Sequence, residues 1–256
     1  MLDHARAEVA RQVERPAVAS SRAVRPRYDS AFHSLARHAA ASAAVEQLEP
    51  DCTIGLGSGR AVWYVIELIE ERFGDDPPIR AVVASERTGE QAREAGIEVV
   101  ALDGSVRPAV AIDGADEVGP GLGLIKGGGG ALLREKLVVS AAERFVVVAD
   151  VHKRVERLGA TRPLPVEVVR FGWPDTRRRL LELVPDAELR ADGGEAFVTD
   201  EGHHILDCEL PRDADLETLG RAIKATAGVV EHGLFLGLAD EAFLGTDDGR
   251  VELLRP

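Results

Sequence analysis

Cysteine, lysine and long apolar runs are all scarce in this sequence. Two cysteines, Cys52 and Cys208, stand among 256 residues. They give no disulfide framework, and no Cys or His spacing matches a metal site, so no metal is expected. The thiols fit a reducing, cytoplasmic setting. No apolar stretch reaches the roughly 18–20 residues that span a bilayer, and no charged start leads into an apolar leader. Membrane insertion and a secretory signal are therefore not expected. Lysine occurs four times, at 126, 136, 153 and 224, against 27 arginines. Two of the four fall in one glycine-rich stretch, "LIKGGGGALLREKLVVS", which marks it out.

An excess of cations is missing too. The net charge is −13, which disfavours nonspecific binding to nucleic acid. It also slows the approach of anionic ligands, so a phosphate-binding cleft has to be locally positive. What the chain does have is 45% hydrophobic residues and mixed charge, the balance of a globular protein. It is long enough for one large domain or two smaller ones.

Residues 1–37 hold seven arginines against four acids. "ERPAVASSRAVRPRYDS" has neither helical nor strand period, and residues 1–30 read as a mobile extension. A transit peptide is the alternative; Asp3, Glu8 and Glu14 weigh against it.

From residue 31 the pattern alternates. "SAFHSLARHAAASAAVEQL", "RAVWYVIELIEERF", "ERTGEQAREAG" and "ALLREKLVVSAAE" read as helices. "CTIGLG", "IRAVVAS", "IEVVAL", "PAVAID" and "RFVVVAD" read as strands. Apolar strands alternating with helices predict an α/β fold with a mainly parallel sheet covered on both faces. From about residue 161 the pattern becomes β-α-β-β-α-β, a ferredoxin-like α+β unit. Its strands are "PLPVEVVRF", "AFVTD", "HHILDCEL" and "GVVEHGLF", with "AELRA" set aside or merged with its neighbour. The tail "EAFLGTDDGRVELL" reads as a hairpin returning to the first sheet. The domains are thus expected at 31–160 with 236–256, and at 161–235.

Three loops fall where parallel sheets bind ligands, beyond strand carboxyl ends. In "TIGLGSGRA" a strand runs through Gly55, Gly57 and Gly59 into a helix, so backbone N–H groups and the helix N-terminus can meet an anion. The alternative is a plain tight turn. A dinucleotide fingerprint is a worse fit, because G-x-G-x-G is not G-x-G-x-x-G and no acid follows about 20 residues later. In "AIDGADEV" Asp113 and Asp116 put two carboxylates in one tight loop, suited to hydroxyl groups and proton transfer. Alone, it is also a common turn. In "LIKGGGG" the glycines let amides face a ligand beside the charge of Lys126, and Glu135 follows in the next helix. A phosphate grip, a lysine and several carboxylates, with no nucleotide or metal motif, suit aldose–ketose isomerisation. There a carboxylate moves a proton between neighbouring carbons while donors stabilise an enediolate.

The segments "GLGSG", "SERTGEQAREAGI", "DGADEV", "KGGGGALLREKLV", "VVVADVHKRVERLG", "PLPVEV" and "GVVEHGLF" run in the order found in the type A ribose-5-phosphate isomerases, and the chain resembles that family over roughly residues 36–250. The resemblance implies a Rossmann-like main domain, a small ferredoxin-like domain, no cofactor, and homodimers or homotetramers acting on a sugar phosphate. It implies Glu135 as the proton-transferring base, Asp113 as a carboxylate tied to ring opening and hydroxyl contacts, and Asp116 as its companion. Lys126 then contacts substrate and stabilises negative charge. Gly127, Gly128 and Gly129 give backbone contacts, Gly114 and Ala115 lie between the two aspartates, and Lys153 is a further substrate lysine. The phosphate loop departs from the family's usual G-T-G-S-T. Here Ser58 and Gly59 are followed by Arg60 and Ala61, so two hydroxyls are replaced by one guanidinium. Arg37 on the preceding helix is a second candidate phosphate partner. His152 stands where the family usually has Ser. The changed loop leaves open a paralogous isomerase for another sugar or sugar phosphate. A non-catalytic sugar-phosphate sensor is a third reading, but a sensor has no need of Glu135, Asp113 and Lys126 together.

Overall fold

Five strands that are apolar on both faces must be covered by helices on both sides, and the computed structural model has that form. It describes residues 31–256, with side chains from Leu35 onward. The expected extension over residues 1–30 lies outside the described residues.

Helix α1 (Ala31–Val45) leads to β1 (Cys52–Leu56), α2 (Arg60–Phe73), β2 (Ile79–Val83), α3 (Glu86–Glu94), β3 (Glu98–Val99) and β4 (Val110–Asp113). Two short strands, β5 (Glu117–Val118) and β6 (Leu124–Ile125), precede α4 (Leu132–Ala141) and β7 (Phe145–Asp150). Next come β8 (Leu164–Val168), α5 (Trp173–Leu180), β9 (Ala187–Leu189), β10 (Ala191–Asp192), β11 (Glu195–Ala196), β12 (His204–Cys208), α6 (Leu216–Ala225) and β13 (Val229–His232). The chain returns through β14 (Leu234–Phe235) to β15 (Glu241–Gly245) and β16 (Val251–Leu254).

The main sheet has seven strands in the order β16-β15-β7-β4-β1-β2-β3. All its pairs are parallel except β15 with β16, the expected hairpin. Side chains alternate across it with period two. Ile112, Val146 and Val148 pack with Val62, Val65 and Ala40 of α2 and α1. Ala111, Val147 and Ala149 pack with Val138 and Val139 of α4. The second sheet is antiparallel, in the order β13-β8-β12-β9. With α5 and α6 it forms the ferredoxin-like unit around a third core of Val166, Leu180, Leu206 and Ile223.

Three strand readings need correction. "AFVTD" is not the second strand of the small unit. Ala187–Leu189 fills that place, and only Glu195 and Ala196 pair locally, with Ala191 and Asp192. The following residues turn to other partners: Thr199 Oγ1 donates to Glu167 Oε1 at 2.9 Å, and Phe197 packs beside Gly130. "IEVVAL" shrinks to Glu98–Val99 at the sheet edge. "GVVEHGLF" breaks at Gly233, where the chain leaves the small sheet and β14 joins β6 and β5 in a three-stranded sheet. A Cβ at Gly233 would lie 2.1 Å from the Lys126 carbonyl oxygen. Only glycine permits that crossing, and it fixes the backbone that carries Lys126, whose N–H donates to Gly233 O at 2.9 Å.

Candidate active site

The carboxyl ends of β1, β4 and β7 converge, as open α/β sheets require of a ligand site. Gly57 follows β1, Asp113 ends β4 and Asp150 ends β7. Above them lies a cleft of about 340 Å³. Every candidate residue except Asp113 lines it. One wall is Ser58, Gly59, Arg60 and Ala61, at the start of α2, with Arg37 from α1. The facing wall is Gly127, Gly128 and Gly129. Between them lie Gly114, Ala115, Asp116, Lys126 and Glu135, with Lys153 at the end of a short helical turn.

Asp113 sits beneath the floor, fully buried. Its Oδ1 accepts from Ser58 N at 3.2 Å and Gly114 N at 2.7 Å. Its Oδ2 lies 2.8 Å from Lys126 Nζ. A Cβ at Gly57 would stand 1.8 Å from this carboxyl carbon, so glycine there is what lets the phosphate-loop backbone close over the aspartate. Lys126 also donates to Gly114 O at 2.7 Å and reaches Glu135 Oε2 at 3.3 Å. Glu135 lies in the first turn of α4, where the helix N-terminus favours a negative side chain. Asp116 Oδ2 accepts from Gly128 N at 2.7 Å, tying the aspartate loop to the glycine loop.

Two buried carboxyls thus share one ammonium. Burial pushes the Glu135 carboxyl up to about 8, helped by the nearby charge of Asp113 and opposed by Lys126. Burial also raises Asp113 against the pull of Lys126 and of the two backbone donors. Burial disfavours the Lys126 cation, yet Asp113 and Glu135 outweigh it and hold the lysine above its ordinary value. Glu135 is therefore a carboxyl poised near neutrality beside a permanent positive charge, the condition for reversible proton transfer at carbon.

The cleft is locally positive in an acidic chain. Arg37, Arg60, Lys126, Lys153 and Arg162 face Asp116, Glu135 and Asp150. Arg37 is already engaged by Asp150, whose Oδ2 accepts from Nε at 3.1 Å and Nη2 at 3.0 Å. His152 turns to Asp247 at 3.0 Å.

Sequence reasoning missed Arg162, Trp63 and Asp150 on the cleft wall. It also missed Glu117, the last acid of "DGADE". Glu117 is fully buried. It accepts from Gly159 N at 2.6 Å, Thr161 N at 2.5 Å, Thr161 Oγ1 at 2.7 Å and Arg162 N at 2.8 Å. It therefore holds the loop that carries Arg162. Lys136, beside Glu135, donates to Glu231 Oε1 at 2.9 Å, His232 O at 2.6 Å and Leu234 O at 2.9 Å. Arg134 reaches Glu201 and Asp200 of the small unit at 2.6 and 3.3 Å. The charges flanking the base thus anchor its helix to neighbouring elements.

A family model for ribose 5-phosphate isomerase A (phosphoriboisomerase A) matches residues 80–249. The chain belongs to the ribose-5-phosphate isomerase A family. Among its relatives, the ribose-5-phosphate isomerase A of Roseiflexus castenholzii is 49% identical over 225 residues, 87% of this chain and 96% of the relative. That of Deinococcus radiodurans is 46% identical over 205 residues, 79% of this chain and 90% of the relative. The solved ribose 5-phosphate isomerase of Plasmodium falciparum matches with a TM-score of 0.82 at 34% identity, covering 88% of this chain and 99% of that one. That of Neisseria gonorrhoeae gives 0.80 at 38% identity, covering 88% and 97%. The solved relatives therefore match most of the chain.

Proposed function

We infer that the chain is an aldose–ketose isomerase that interconverts ribose 5-phosphate and ribulose 5-phosphate, with Glu135 as the proton carrier. The observation that carries this is the buried Lys126 ammonium, set between Asp113 and Glu135 on the cleft floor. In the reaction the Glu135 carboxylate takes the proton from C2 of the open aldose. The C2–H electron pair forms the C1–C2 double bond, and the carbonyl oxygen at C1 becomes the enediolate oxygen. Glu135 then returns the proton to C1 as the O2 hydroxyl proton passes to O1 and the carbonyl forms at C2. Lys126 faces the charge that develops on the oxygens, and the glycine loop supplies amides without side-chain obstruction.

Asp113 serves this step from below by holding Lys126 and the Ser58 and Gly114 amides. Asp116 braces the glycine loop. The phosphate end is assigned to the start of α2, where a helix N-terminus favours an anion, with Arg60 supplying a charged donor. Arg37, Lys153 and Arg162 lie on the same cleft. A solved D-ribose-5-phosphate isomerase, 35% identical with a TM-score of 0.81, is in complex with phospho-erythronic acid. A ligand with a phosphate at one end and a carboxylate at the other suits a cleft with these two poles.

The proposed domain division, 31–160 with 236–256 against 161–235, is supported by the membership of the two larger sheets. The cytoplasm is the setting this reading assigns, where the unpaired thiols of Cys52 and Cys208 stay reduced. Among the described residues no helix is long and apolar enough to cross a membrane. The homodimer or homotetramer implied by the family resemblance is checked by light scattering. The test of the function is direct detection of ribulose 5-phosphate from ribose 5-phosphate, with no metal or nucleotide added. Turnover of other aldoses but not this one would overturn it.

A further inference from the structure

The glycine loop is closed from outside by an arginine of the small unit. Gly130 N donates to Gly127 O at 3.0 Å, so residues 127–130 form a β-turn with Gly128 and Gly129 at its centre. The central peptide of such a turn has two orientations, type I and type II, which differ by its rotation. Type II needs positive φ at the second central residue. Of the four glycines only Gly127 and Gly130 have positive φ, so the turn is not type II. Nothing in two central glycines prevents the flip, because glycine accepts positive φ freely.

Arg190 supplies the missing constraint. Its Nη1 donates to Gly127 O at 2.8 Å and Gly128 O at 3.2 Å. Its Nε donates to Asp207 Oδ2 at 2.9 Å, and Nη2 pairs with Asp207 Oδ1. The guanidinium is thereby fixed, largely buried, with Phe197 5.9 Å away beneath it. There are no cis peptides in the described residues, and in a trans peptide C=O and the next N–H point opposite ways. Capture of Gly127 O turns Gly128 N–H to the other side, where it meets Asp116 Oδ2 at 2.7 Å. Capture of Gly128 O turns Gly129 N–H the same way, and Gly129 lines the cleft.

We propose that Arg190 is a positioning residue for the isomerisation: it locks the Gly128–Gly129 peptide so that the Gly129 amide, and not the Gly128 carbonyl, faces the substrate. A flipped peptide would present a carbonyl oxygen to a developing enediolate oxygen, which repels it. This rests on the reading of the cleft as the isomerase site.

The test compares wild type, Arg190→Met and Asp207→Asn in the full chain. Each is assayed for kcat and KM with ribose 5-phosphate and for inhibition by phospho-erythronic acid and by inorganic phosphate. Thermal midpoints establish which variants are folded. Arg190→Met is expected to lose about tenfold or more in kcat, with KM within about twofold. Phospho-erythronic acid should inhibit about tenfold more weakly, while inhibition by inorganic phosphate is unchanged. Asp207→Asn should show the same pattern in smaller measure, and it decides the matter if Arg190→Met does not fold. A folded variant with a lowered midpoint but kcat within twofold of wild type overturns the proposal, as does a rise in KM alone. Absence of ribose 5-phosphate turnover in wild type overturns the functional reading instead.

Discussion

Glu135 Oε2 lies 3.3 Å from Lys126 Nζ, and both side chains are buried. The same ammonium is 2.8 Å from Asp113, so one cation serves two carboxyls. Burial and Asp113 push Glu135 up to about 8, and the charge of Lys126 restrains it. The base works as a carboxylate. The value of kcat/KM, which reports the free enzyme, should therefore rise with pH up to about 8, close to tenfold per unit on the acid limb. Lys126→Met removes the restraining charge and should move that limb to higher pH as well as lower the rate. An acid limb near the ordinary glutamate value of 4.5 would contradict this electrostatic account.

The same shift has a stability consequence. A folded-state pKa raised above the unfolded value means that the folded protein binds the proton more tightly. The contribution of Glu135 is fully present below about 4.5 and is lost as pH rises through about 8. Glu135→Gln keeps the neutral form at every pH. Its thermal midpoint should exceed that of wild type at pH 9, and the gap should close towards pH 5. Equal midpoints at pH 9 would show that the buried charge is fully compensated.

How much of this was legible in the sequence depended on range. Asp113, Asp116, Lys126 and Glu135 sit in short motifs at strand ends, and their types and order point to proton transfer. The depth of Asp113 was not legible, because it depends on Gly57 letting one loop close over another. Arg162, Glu117 and Arg190 were missed because their partners are distant in the chain and no local period marks them. Arg190 touches Gly127, 63 positions away. Main-sheet strands carried a clear apolar signal. "AFVTD" carried a strand signal too, but tertiary contacts of Phe197 and Thr199 overrode it.

Glu117 should behave as a structural anion. Replacement by Ala removes the buried acceptor of four hydrogen bonds, and a bond to a charged group is worth about 1.5–3 kcal/mol. A loss of at least about 3 kcal/mol is expected, or a midpoint lower by roughly 6–12 °C for a chain of this size. Glu117→Gln should also destabilise, because its amide group must face an N–H. A midpoint within a degree or two of wild type for both variants would contradict the described hydrogen bonding.

Arg60 tests the altered phosphate loop. It is the first residue of α2 and lines the cleft. Loss of a hydrogen bond to a charged group is worth about 1.5–3 kcal/mol. Arg60→Ala should therefore raise KM for ribose 5-phosphate about tenfold or more and weaken competition by inorganic phosphate. Unchanged KM would mean that the loop amides and the other cations hold the phosphate without it.

The central claim is that Glu135 carries the proton, and single-turnover or steady-state kcat of Glu135→Gln with ribose 5-phosphate tests it most directly. The substitution keeps size and hydrogen-bonding capacity and removes only the base. General base catalysis contributes roughly 10²–10⁴-fold, so kcat should fall by at least that order with KM little changed. A folded Glu135→Gln enzyme that turns over within a few fold of wild type would contradict the account.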